Sequence, residues 1–495
     1  MNNKIQNPEK KEVLNPHSQR VAILDFGAQY GKLIDKRIRS LNVESIILPG
    51  NTPAEQLKGY SAIVLSGGPS FVNAENAPKY DPKVFELDIP MLGICYGMQL
   101  MAHVGGGKVG AGVRREDAQT RIQIQTDSLL FGGLEGDQDV LLTHGDSVLD
   151  LPPGYRSIAN SEEIVVGMEN PELKRYAVQF HPETDLTIKG RDIFSNFLFQ
   201  ISGLTQDYTM ENRKEKAIAY IKEKVGNKKV LALVSGGVDS TVCASLLGEA
   251  VGSENVIALH VDTGFMRKDE SEMVKVALES VGINLNVIDA SEEFFTNLQG
   301  VAEPEKKRVI IGDTFIKVAK QFLSEQGINL DDIFLAQGTL RPDLIESASI
   351  IANSSGSADK IKTHHNDSPL VREMREKGLV VEPLTDYHKD EVRELGESLG
   401  LPENIVWRQP FPGPGLAIRM LCADEPFLGE DFDDVQQQLR QFETENIHLH
   451  LLPVATVGVQ GDGRSYKYLV GLSTIENPNW EEIIELTKKI PQTVK

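Results

Sequence analysis

Short apolar runs that end in glycine turns recur along the first part of the chain. Three of them span residues 21–25, 61–65 and 91–95, and segments of helical length lie between them. Such runs are typical of strands in a parallel sheet, because both faces of the strand are buried. The pattern predicts an α/β domain with a doubly wound parallel sheet at residues 21–203.

A second series of the same kind follows a polar stretch at residues 202–215. Residues 229–234 and 256–261 predict strands, and a Gly-rich turn between them leads into a predicted helix at residues 240–249. This order is a βαβ unit, so it predicts a second doubly wound domain at residues 204–419.

Two further segments differ from these domains. Residues 1–20 are polar and hold no apolar run of the kind that a signal peptide needs, so they predict a polar tail. Residues 420–495 follow a segment rich in Pro and Gly at 409–415. They predict a small α+β domain that contains an amphipathic helix at residues 480–490.

Charge and cysteine content exclude several classes of protein. The 51 Lys and Arg residues stand against 72 Asp and Glu residues, and the net charge of −21 disfavours nucleic acid and anionic membranes as partners. Cys95, Cys243 and Cys422 are too few and too scattered for a disulfide framework. No apolar run reaches the ~18 residues of a transmembrane helix. We therefore expect a cytosolic protein with neither a membrane nor a nucleic acid as its partner.

Cys95 lies between Gly93 and Gly97 at the end of the third predicted strand. A tight turn from strand to helix exposes such a side chain, aims backbone N–H groups at a reacting carbonyl, and favours the thiolate through the helix dipole. His181 and Glu183 follow another predicted strand and have the chemistry of a general base and its orienting carboxylate. A single buried cysteine is more often a core residue, so each feature alone stays ambiguous.

Three strand-end motifs taken together resemble the class I glutamine amidotransferases over residues 21–203. The motifs are Ser66-Gly67-Gly68-Pro69, Gly93-Ile94-Cys95-Tyr96-Gly97 and His181-Pro182-Glu183. The resemblance implies that Cys95 forms a glutamyl thioester, that His181 is the base and that Glu183 is its partner. It further implies backbone donors of an oxyanion hole at Gly68 and Tyr96, a glutamine-pocket residue at Gln99, and a motif near it at residues 143–146.

A second candidate site lies in the Gly-rich turn of the βαβ unit. Backbone N–H groups, a helix N-terminus and hydroxyl groups can hold phosphate oxygens there, and a carboxylate can reach Mg²⁺. The turn lacks the Gly-Lys-Ser or Gly-Lys-Thr ending of a Walker A loop, and by itself a plain helix cap is an equal alternative. The predicted ATP and pyrophosphate ligands are Ser235, Gly236, Gly237, Val238, Asp239, Ser240 and Thr241, with Asp239 as the metal ligand.

The next strand ends in the motif of residues 260–267, which resembles the N-type ATP pyrophosphatases. Further motifs at residues 306–312, 337–347, 362–366, 409–416 and 458–464 resemble the glutamine-hydrolysing GMP synthases, from residue 21 to about residue 468. The resemblance implies that ATP, with Mg²⁺, adenylates xanthosine monophosphate (XMP). It also implies that ammonia from glutamine then replaces the AMP. The residues carried over are Arg308 and Asp462 for XMP, and Lys362, His364, His365 and Asn366 for a lid over ATP. Without the resemblance, residues 362–366 are an ordinary solvated loop and residues 409–416 a rigid linker.

At residues 491–495 the sequence differs from the family's pattern, because it has no counterpart of the family's C-terminal tail. Residues 420–480 are closer to the eukaryotic branch, whose C-terminal part is longer, so we expect a partial dimerisation domain and an isologous homodimer through it. Two alternatives stay open. One is a nucleotide-binding regulatory scaffold, and the other is a tRNA-modifying enzyme with a pyrophosphatase loop, which the acidic composition disfavours.

Overall fold

The computed structural model describes residues 19–27, 31–68, 71–74, 77–343, 369–460 and 463–494. The predicted lid residues 362–366, Asp462 and most of the predicted tail lie outside them. The chain divides into two compact units, Met1–Arg213 and Lys214–Lys495.

In the first unit, described strands form one nine-stranded sheet in the order β2-β1-β3-β4-β9-β8-β6-β5-β7. These strands are β1 (Arg20–Asp25), β2 (Glu44–Pro49), β3 (Ala62–Leu65), β4 (Met91–Ile94), β5 (Lys108–Ile124), β6 (Asp137–Asp150), β7 (Arg156–Ser161), β8 (Ile164–Asn170) and β9 (Arg175–Val178). The strands from β1 to β4 and β9 are parallel to their neighbours in that group, as the apolar runs predict. The strands from β5 to β8 pair antiparallel and extend the sheet. They are more polar, so their sequence does not show the runs of buried parallel strands.

The first unit also contains the helices α1 (Gly31–Arg39), α2 (Ala54–Leu57), α3 (Tyr96–Val104) and α4 (Gly190–Ser195), the 3-10 helices Pro82–Glu86 and Leu129–Phe131, and a π-helix at Asn196–Ile201. Its sheet is buried on both faces. Val21 and Ile23 of β1 point into one apolar cluster, whereas Ala22 and Leu24 point into the other. Alternate residues of a strand face opposite sides, so a strand covered on both faces must be apolar throughout.

The polar stretch at residues 202–215, which predicts a linker between the two domains, contacts the first unit. The ring of Tyr208 lies between the guanidinium groups of Arg39 and Arg213, at 5.0 and 4.9 Å from its centroid. Its backbone N–H also donates to the carbonyl of Asn42 at 2.9 Å. The compact unit therefore extends beyond residue 203, the end of the predicted domain; the predicted four-part division of the chain stays a prediction.

In the second unit, described strands form a parallel sheet in the order β12-β11-β10-β13-β14 and a separate hairpin of β15 and β16. The strands are β10 (Lys229–Leu233), β11 (Val256–Asp262), β12 (Leu285–Asp289), β13 (Ile333–Ala336), β14 (Val380–Val381), β15 (Ile447–Gln460) and β16 (Gly463–Thr474). The chain builds β11 and β12 on one side of β10 and then returns to build β13 on its other side. The carboxyl ends of β10 and β13 thus form the switch point where open α/β sheets bind their ligands.

The helices of the second unit are α5 (Met210–Val225, which begins within the first unit), α6 (Val238–Val251), α7 (Glu270–Ser280), α8 (Ser291–Leu298), α9 (Pro304–Glu325), α10 (Pro369–Glu376), α11 (Lys389–Ser398), α12 (Glu403–Val406), α13 (Leu416–Arg419), α14 (Phe432–Leu439) and α15 (Trp480–Thr493), with 3-10 helices at Ser253–Asn255, Leu330–Asp332 and Arg440–Phe442. The last part has its own apolar cluster, in which Ile490 of α15 packs with Leu439 of α14 and Leu449 of β15. This confirms the predicted amphipathic helix. None of the described helices is long and apolar enough to cross a membrane.

Candidate active sites

Cys95 occupies a strained turn between β4 and α3. Its φ of 52° and ψ of −105° lie outside the regions that a non-glycine residue ordinarily adopts. Hydrogen bonds to both neighbouring strands hold the turn: the N–H of Cys95 donates to Val178 at 2.8 Å, and that of Gly97 donates to Ser66 at 3.1 Å. Backbone strain of this kind is maintained at functional sites by the surrounding structure.

Two glycines make this turn sterically feasible. A Cβ atom on Gly97 would lie 2.3 Å from the carbonyl oxygen of Leu65, and one on Gly93 would lie 2.7 Å from the carbonyl oxygen of Gly97. The helix α3 thus starts directly against the end of β3. The structure confirms the tight strand-to-helix turn that the Gly-x-Cys-x-Gly spacing predicts.

His181 comes to Cys95 through the pairing of β4 with β9, which places Ile94 opposite Val178. The backbone of His181 is held by Leu141, which accepts its N–H at 3.0 Å. Thr184 and Thr187 donate their hydroxyls to its carbonyl at 2.9 and 2.7 Å. These hydrogen bonds fix the backbone from which the imidazole extends towards Cys95.

Glu183 completes the arrangement. Nδ1 of His181 lies 2.8 Å from Oε1 of Glu183, and both residues are buried. Because Nδ1 faces the carboxylate, Nε2 is the nitrogen available for the hydrogen bond that His181 makes with Cys95. Burial opposes the charged imidazolium, but the hydrogen bonds to Cys95 and Glu183 and their negative charges outweigh it and raise the pKa of His181 to about 10. The raised pKa favours the protonated form of the His181 imidazole at neutral pH.

The amide groups predicted for the oxyanion hole flank the cysteine. Tyr96 is the first residue of α3, where backbone N–H groups have no acceptor within the helix. Gly68 follows β3, and a Cβ atom there would lie 3.3 Å from Cγ of Tyr96 and 3.0 Å from the carbonyl oxygen of Phe26. Among the residues that the structure describes, neither amide has a backbone acceptor. Donors without such an acceptor are what the predicted oxyanion hole requires.

Gln99 lies one turn after Cys95 and is buried. Its Nε2 donates to the carbonyl of Asp146 at 3.0 Å and to Oε1 of Gln179 at 3.2 Å. The predicted motif at residues 143–146 is therefore next to the cysteine, and the carbonyl of Thr143 lies 4.0 Å from its Sγ.

A buried network that the sequence does not reveal supports this pocket. Nδ1 of His144 lies 2.9 Å from the carbonyl of Asp146, and its Nε2 lies 3.1 Å from Glu116. Ser161 donates to the same carboxylate at 2.7 Å. Glu116 sits in a long polar strand without any motif around it, so only the strand pairing shows that it is buried.

The loop between β10 and α6 closes on itself. The hydroxyls of Ser240 and Thr241 donate to the carbonyl of Gly237 at 3.0 and 2.9 Å, and the N–H of Ser235 donates to Ser240 at 3.2 Å. Gly236 has a φ of 80°, a conformation that favours glycine. The loop follows the central strand and precedes a helix N-terminus, which is the predicted position for phosphate binding.

Asp239 in the first turn of α6 forms an ion pair with Lys389 at the start of α11. Nζ of Lys389 lies 2.6 Å from both carboxylate oxygens. Lys389 lies in none of the sequence motifs described above, and the ion pair joins residues 150 positions apart. In the described part of the chain, no three metal-ligating side chains cluster. A lone carboxylate still fits Mg²⁺, because Mg²⁺ takes one or two carboxylates together with substrate phosphates.

The segment at residues 409–415 is attached to the loop after β11. Arg267 donates to the carbonyls of Gln409 and Pro410 at 2.8 and 3.1 Å, and its guanidinium lies 4.4 Å from the ring centroid of Phe411. Gly415 has a φ of 64°, and a Cβ atom on it would lie 2.2 Å from the carbonyl oxygen of Phe265. The segment therefore packs against the loop after β11, at the sheet edge that carries the Gly-rich loop.

Arg308, the predicted XMP ligand within the described residues, lies near the start of α9. It pairs with Glu305 at 3.1 Å and is half exposed, so its role stays a prediction.

Both predicted domains match known families. The model of the class I glutamine amidotransferases matches residues 22–201, and that of NAD synthase matches residues 210–314. Together with the two strand-end sites, these matches define a glutamine amidotransferase joined to an ATP-dependent ligase.

Three curated relatives narrow this class. A GMP synthase [glutamine-hydrolyzing] of Dictyostelium discoideum is 49% identical over 98% of this chain and 75% of that protein. A probable GMP synthase of Caenorhabditis elegans is 46% identical over 96% and 72%, and a GMP synthase of Carboxydothermus hydrogenoformans is 45% identical over 92% and 90%. The chain belongs to the glutamine-hydrolysing GMP synthase family.

Proposed function

We propose that this chain makes GMP from XMP, ATP and glutamine. Glutamine is hydrolysed to glutamate and ammonia at Cys95. ATP adenylates the 2-oxygen of XMP, and ammonia then displaces AMP, so that GMP, AMP, pyrophosphate and glutamate are formed. The observation that carries the proposal is that one chain combines a complete Cys-His-Glu arrangement with a Gly-rich loop at the switch point of a second sheet.

In the first half-reaction, the sulfur of Cys95 attacks the side-chain amide carbon of glutamine. The N–H groups of Gly68 and Tyr96 stabilise the oxyanion, and His181 gives its proton to the departing ammonia. Water then hydrolyses the thioester and His181 accepts its proton. The raised pKa of His181 supports this role, because the imidazolium is the form that protonates a leaving group.

In the second half-reaction, the loop of residues 235–241 holds the phosphates of ATP. Its hydroxyls now bond to Gly237, and phosphate oxygens can replace that acceptor. We assign Asp239 to Mg²⁺, which would neutralise phosphate charge and favour departure of pyrophosphate. With Asp239 engaged in this way, Lys389 would lose its carboxylate partner and its ammonium group would be available to a phosphate oxygen.

Homodimerisation through residues 420–495 and a cytosolic location belong to the same proposal. The apolar cluster of this segment is small, and Trp480, Ile475 and Tyr466 remain 66%, 70% and 62% exposed. Large exposed apolar groups of this kind support an interface between copies. The strongly negative net charge supports the proposal that nucleic acid is not a partner, because the protein would repel its phosphates.

The proposal is tested by measuring GMP, AMP and pyrophosphate with XMP, ATP and Mg²⁺, and with either glutamine or ammonium as nitrogen source. We expect equal amounts of the three products from both sources, and none without XMP. Binding of XMP without AMP release from either source would instead identify a regulatory scaffold. Omission of Mg²⁺ separately tests the metal, since the assignment of Asp239 fails if synthesis continues unchanged in a chelator.

A further inference from the structure

Lys307 and Cys422 form a close pair that neither half-reaction uses. Nζ of Lys307 lies 2.7 Å from Sγ of Cys422 and 3.1 Å from the carbonyl of Ala417. Lys307 belongs to the first turns of α9, whereas Cys422 follows α13. The contact therefore joins two segments that are far apart in the sequence.

The lysine is unusual in its surroundings. It is 7% exposed, and no carboxylate among the described residues pairs with it. Other lysines of α9 bind carboxylates at the surface, as Lys306 does with Glu303 and Lys317 does with Glu293, both at 2.8 Å. The amine of Lys307 is a nucleophile when it is deprotonated. Because it contacts the sulfur of Cys422, it can attack that sulfur once the sulfur has become electrophilic.

The three cysteines differ in their access to small oxidants. Cys243 is buried, and burial raises the pKa of its thiol to about 12, which makes it inert. Cys95 is buried in the glutaminase site. Cys422 is exposed, so it is the thiol outside the glutaminase site that a dissolved oxidant can reach.

We propose that hydroperoxides convert Cys422 and Lys307 into a reversible sulfenamide cross-link. In the first step, the sulfur of Cys422 attacks one oxygen of hydrogen peroxide. The O–O bond breaks, an S–O bond forms, and the thiol proton leaves with the second oxygen as water. Sulfur is oxidised to a sulfenic acid and the peroxide is reduced.

In the second step, Nζ of Lys307 loses one proton to solvent and attacks the sulfenic sulfur. An S–N bond forms and the S–O bond breaks, and the hydroxyl leaves as water with another proton from the nitrogen. No further oxidant is consumed. A dithiol reductant reverses the link, because its sulfur displaces the amine and a second thiol then restores Cys422.

The link would fix the start of α9 to the segment after α13. Arg308 is adjacent to Lys307, so the cross-link should weaken XMP binding; this consequence rests on the proposed function. The chemistry of the link does not, because it needs only the pair and the oxidant.

The test uses the full chain with Cys95→Ala, which removes the competing thiol. The protein is treated with hydrogen peroxide, with or without the sulfenic acid probe dimedone, and its tryptic peptides are analysed without reduction. We expect peptides of Lys307 and Cys422 joined with the loss of two hydrogen atoms. Dithiothreitol should abolish them.

Two additional variants distinguish the outcomes. Cys422→Ser should lose the linked peptide, and Lys307→Met should lose it while Cys422 gains the dimedone adduct. The proposal is overturned if dimedone labels Cys422 equally with and without Lys307, or if peroxide leaves Cys422 unmodified. Loss of synthesis from XMP in an unlinked protein would instead contradict the proposed function and leave the cross-link unaffected.

Discussion

The two sites share one local design, a strand that turns through glycine into a helix, but they differ in how completely the chain assembles them. At Cys95 the protein itself supplies the proposed nucleophile, base and orienting carboxylate, and all three residues are buried. At Asp239 the loop bonds to itself and its carboxylate is held by Lys389.

The difference follows from the chemistry. A thiol attack needs proton transfer between groups that are already in position, so the protein must fix them before glutamine arrives. A phosphate site can exchange internal hydrogen bonds for bonds to the ligand. The phosphate oxygens of ATP supply acceptors for the donors of the loop, and the metal supplies positive charge. Under the proposed function, the first site is complete in the chain alone, and the second is completed by its substrate.

The largest effect should come from removing the nucleophile. Cys95→Ala should lower glutamine-dependent GMP formation by about 10⁴-fold or more, because no other group can form the thioester. Synthesis from ammonium should continue. The measurement is GMP formed from each nitrogen source, with Cys422→Ser as the matched control for loss of a thiol; equal loss from both sources would contradict the separation of the two sites.

Glu183→Gln should reduce glutamine hydrolysis by about 10²–10⁴-fold, because the amide no longer stabilises the imidazolium of His181. The folded-state pKa of His181 is raised from 6.5 to about 10, so the imidazolium is present below that pH and is lost as pH rises through about 10. In the parent, the rate should thus fall only near pH 10. In the variant, the pKa is lower and the alkaline decline should begin at a lower pH.

The pH profile of glutamate release checks this prediction, and Glu163→Gln, at an exposed position of the same unit, is the control. An alkaline decline at the same pH in the parent and in Glu183→Gln would show that Glu183 does not set the proton affinity of His181.

The complementary variant removes the carboxylate of the other site. Asp239→Asn should lower AMP formation by about 100-fold with either nitrogen source, because the amide is a poor ligand for Mg²⁺ and frees Lys389. Alkylation of Cys95 by an electrophilic glutamine analogue, measured without nucleotides, should be unchanged. Asp313→Asn, on the exposed surface of α9, is the control, and a parallel loss of alkylation would argue against independent assembly.

The smallest effect concerns stability. Gly97→Ala should destabilise the first unit by about 1–3 kcal/mol, because a Cβ atom 2.3 Å from the carbonyl of Leu65 forces the backbone to move. Gly338 lies beside Asp239, and a Cβ atom on it would lie 3.5 Å from the backbone carbon of Asp239. Gly338→Ala should therefore leave stability nearly unchanged. Urea unfolding of both variants compares the two sites, and equal destabilisation would mean that the loop is as tightly packed as the elbow.

Much of this architecture is readable along the chain. The apolar runs locate β1, β3, β4, β10 and β11, because strands covered on both faces must be continuously apolar. Gly93 and Gly97 on either side of Cys95 indicate the turn, because a Cβ atom at either glycine would clash with nearby backbone. These signals are local: each depends on residues that are close together in the sequence.

Only the tertiary structure determines which distant residues come into contact. Sequence shows that His181 ends a strand, but only the pairing of β9 with β4 puts it beside Cys95. Likewise, Glu116 and Lys389 carry no motif and gain their roles because long-range packing brings them to His144 and Asp239. The physical reason is that backbone conformation is set mainly by neighbouring residues, whereas burial, ion pairing and proton affinity depend on atoms that the folded chain brings together from distant positions.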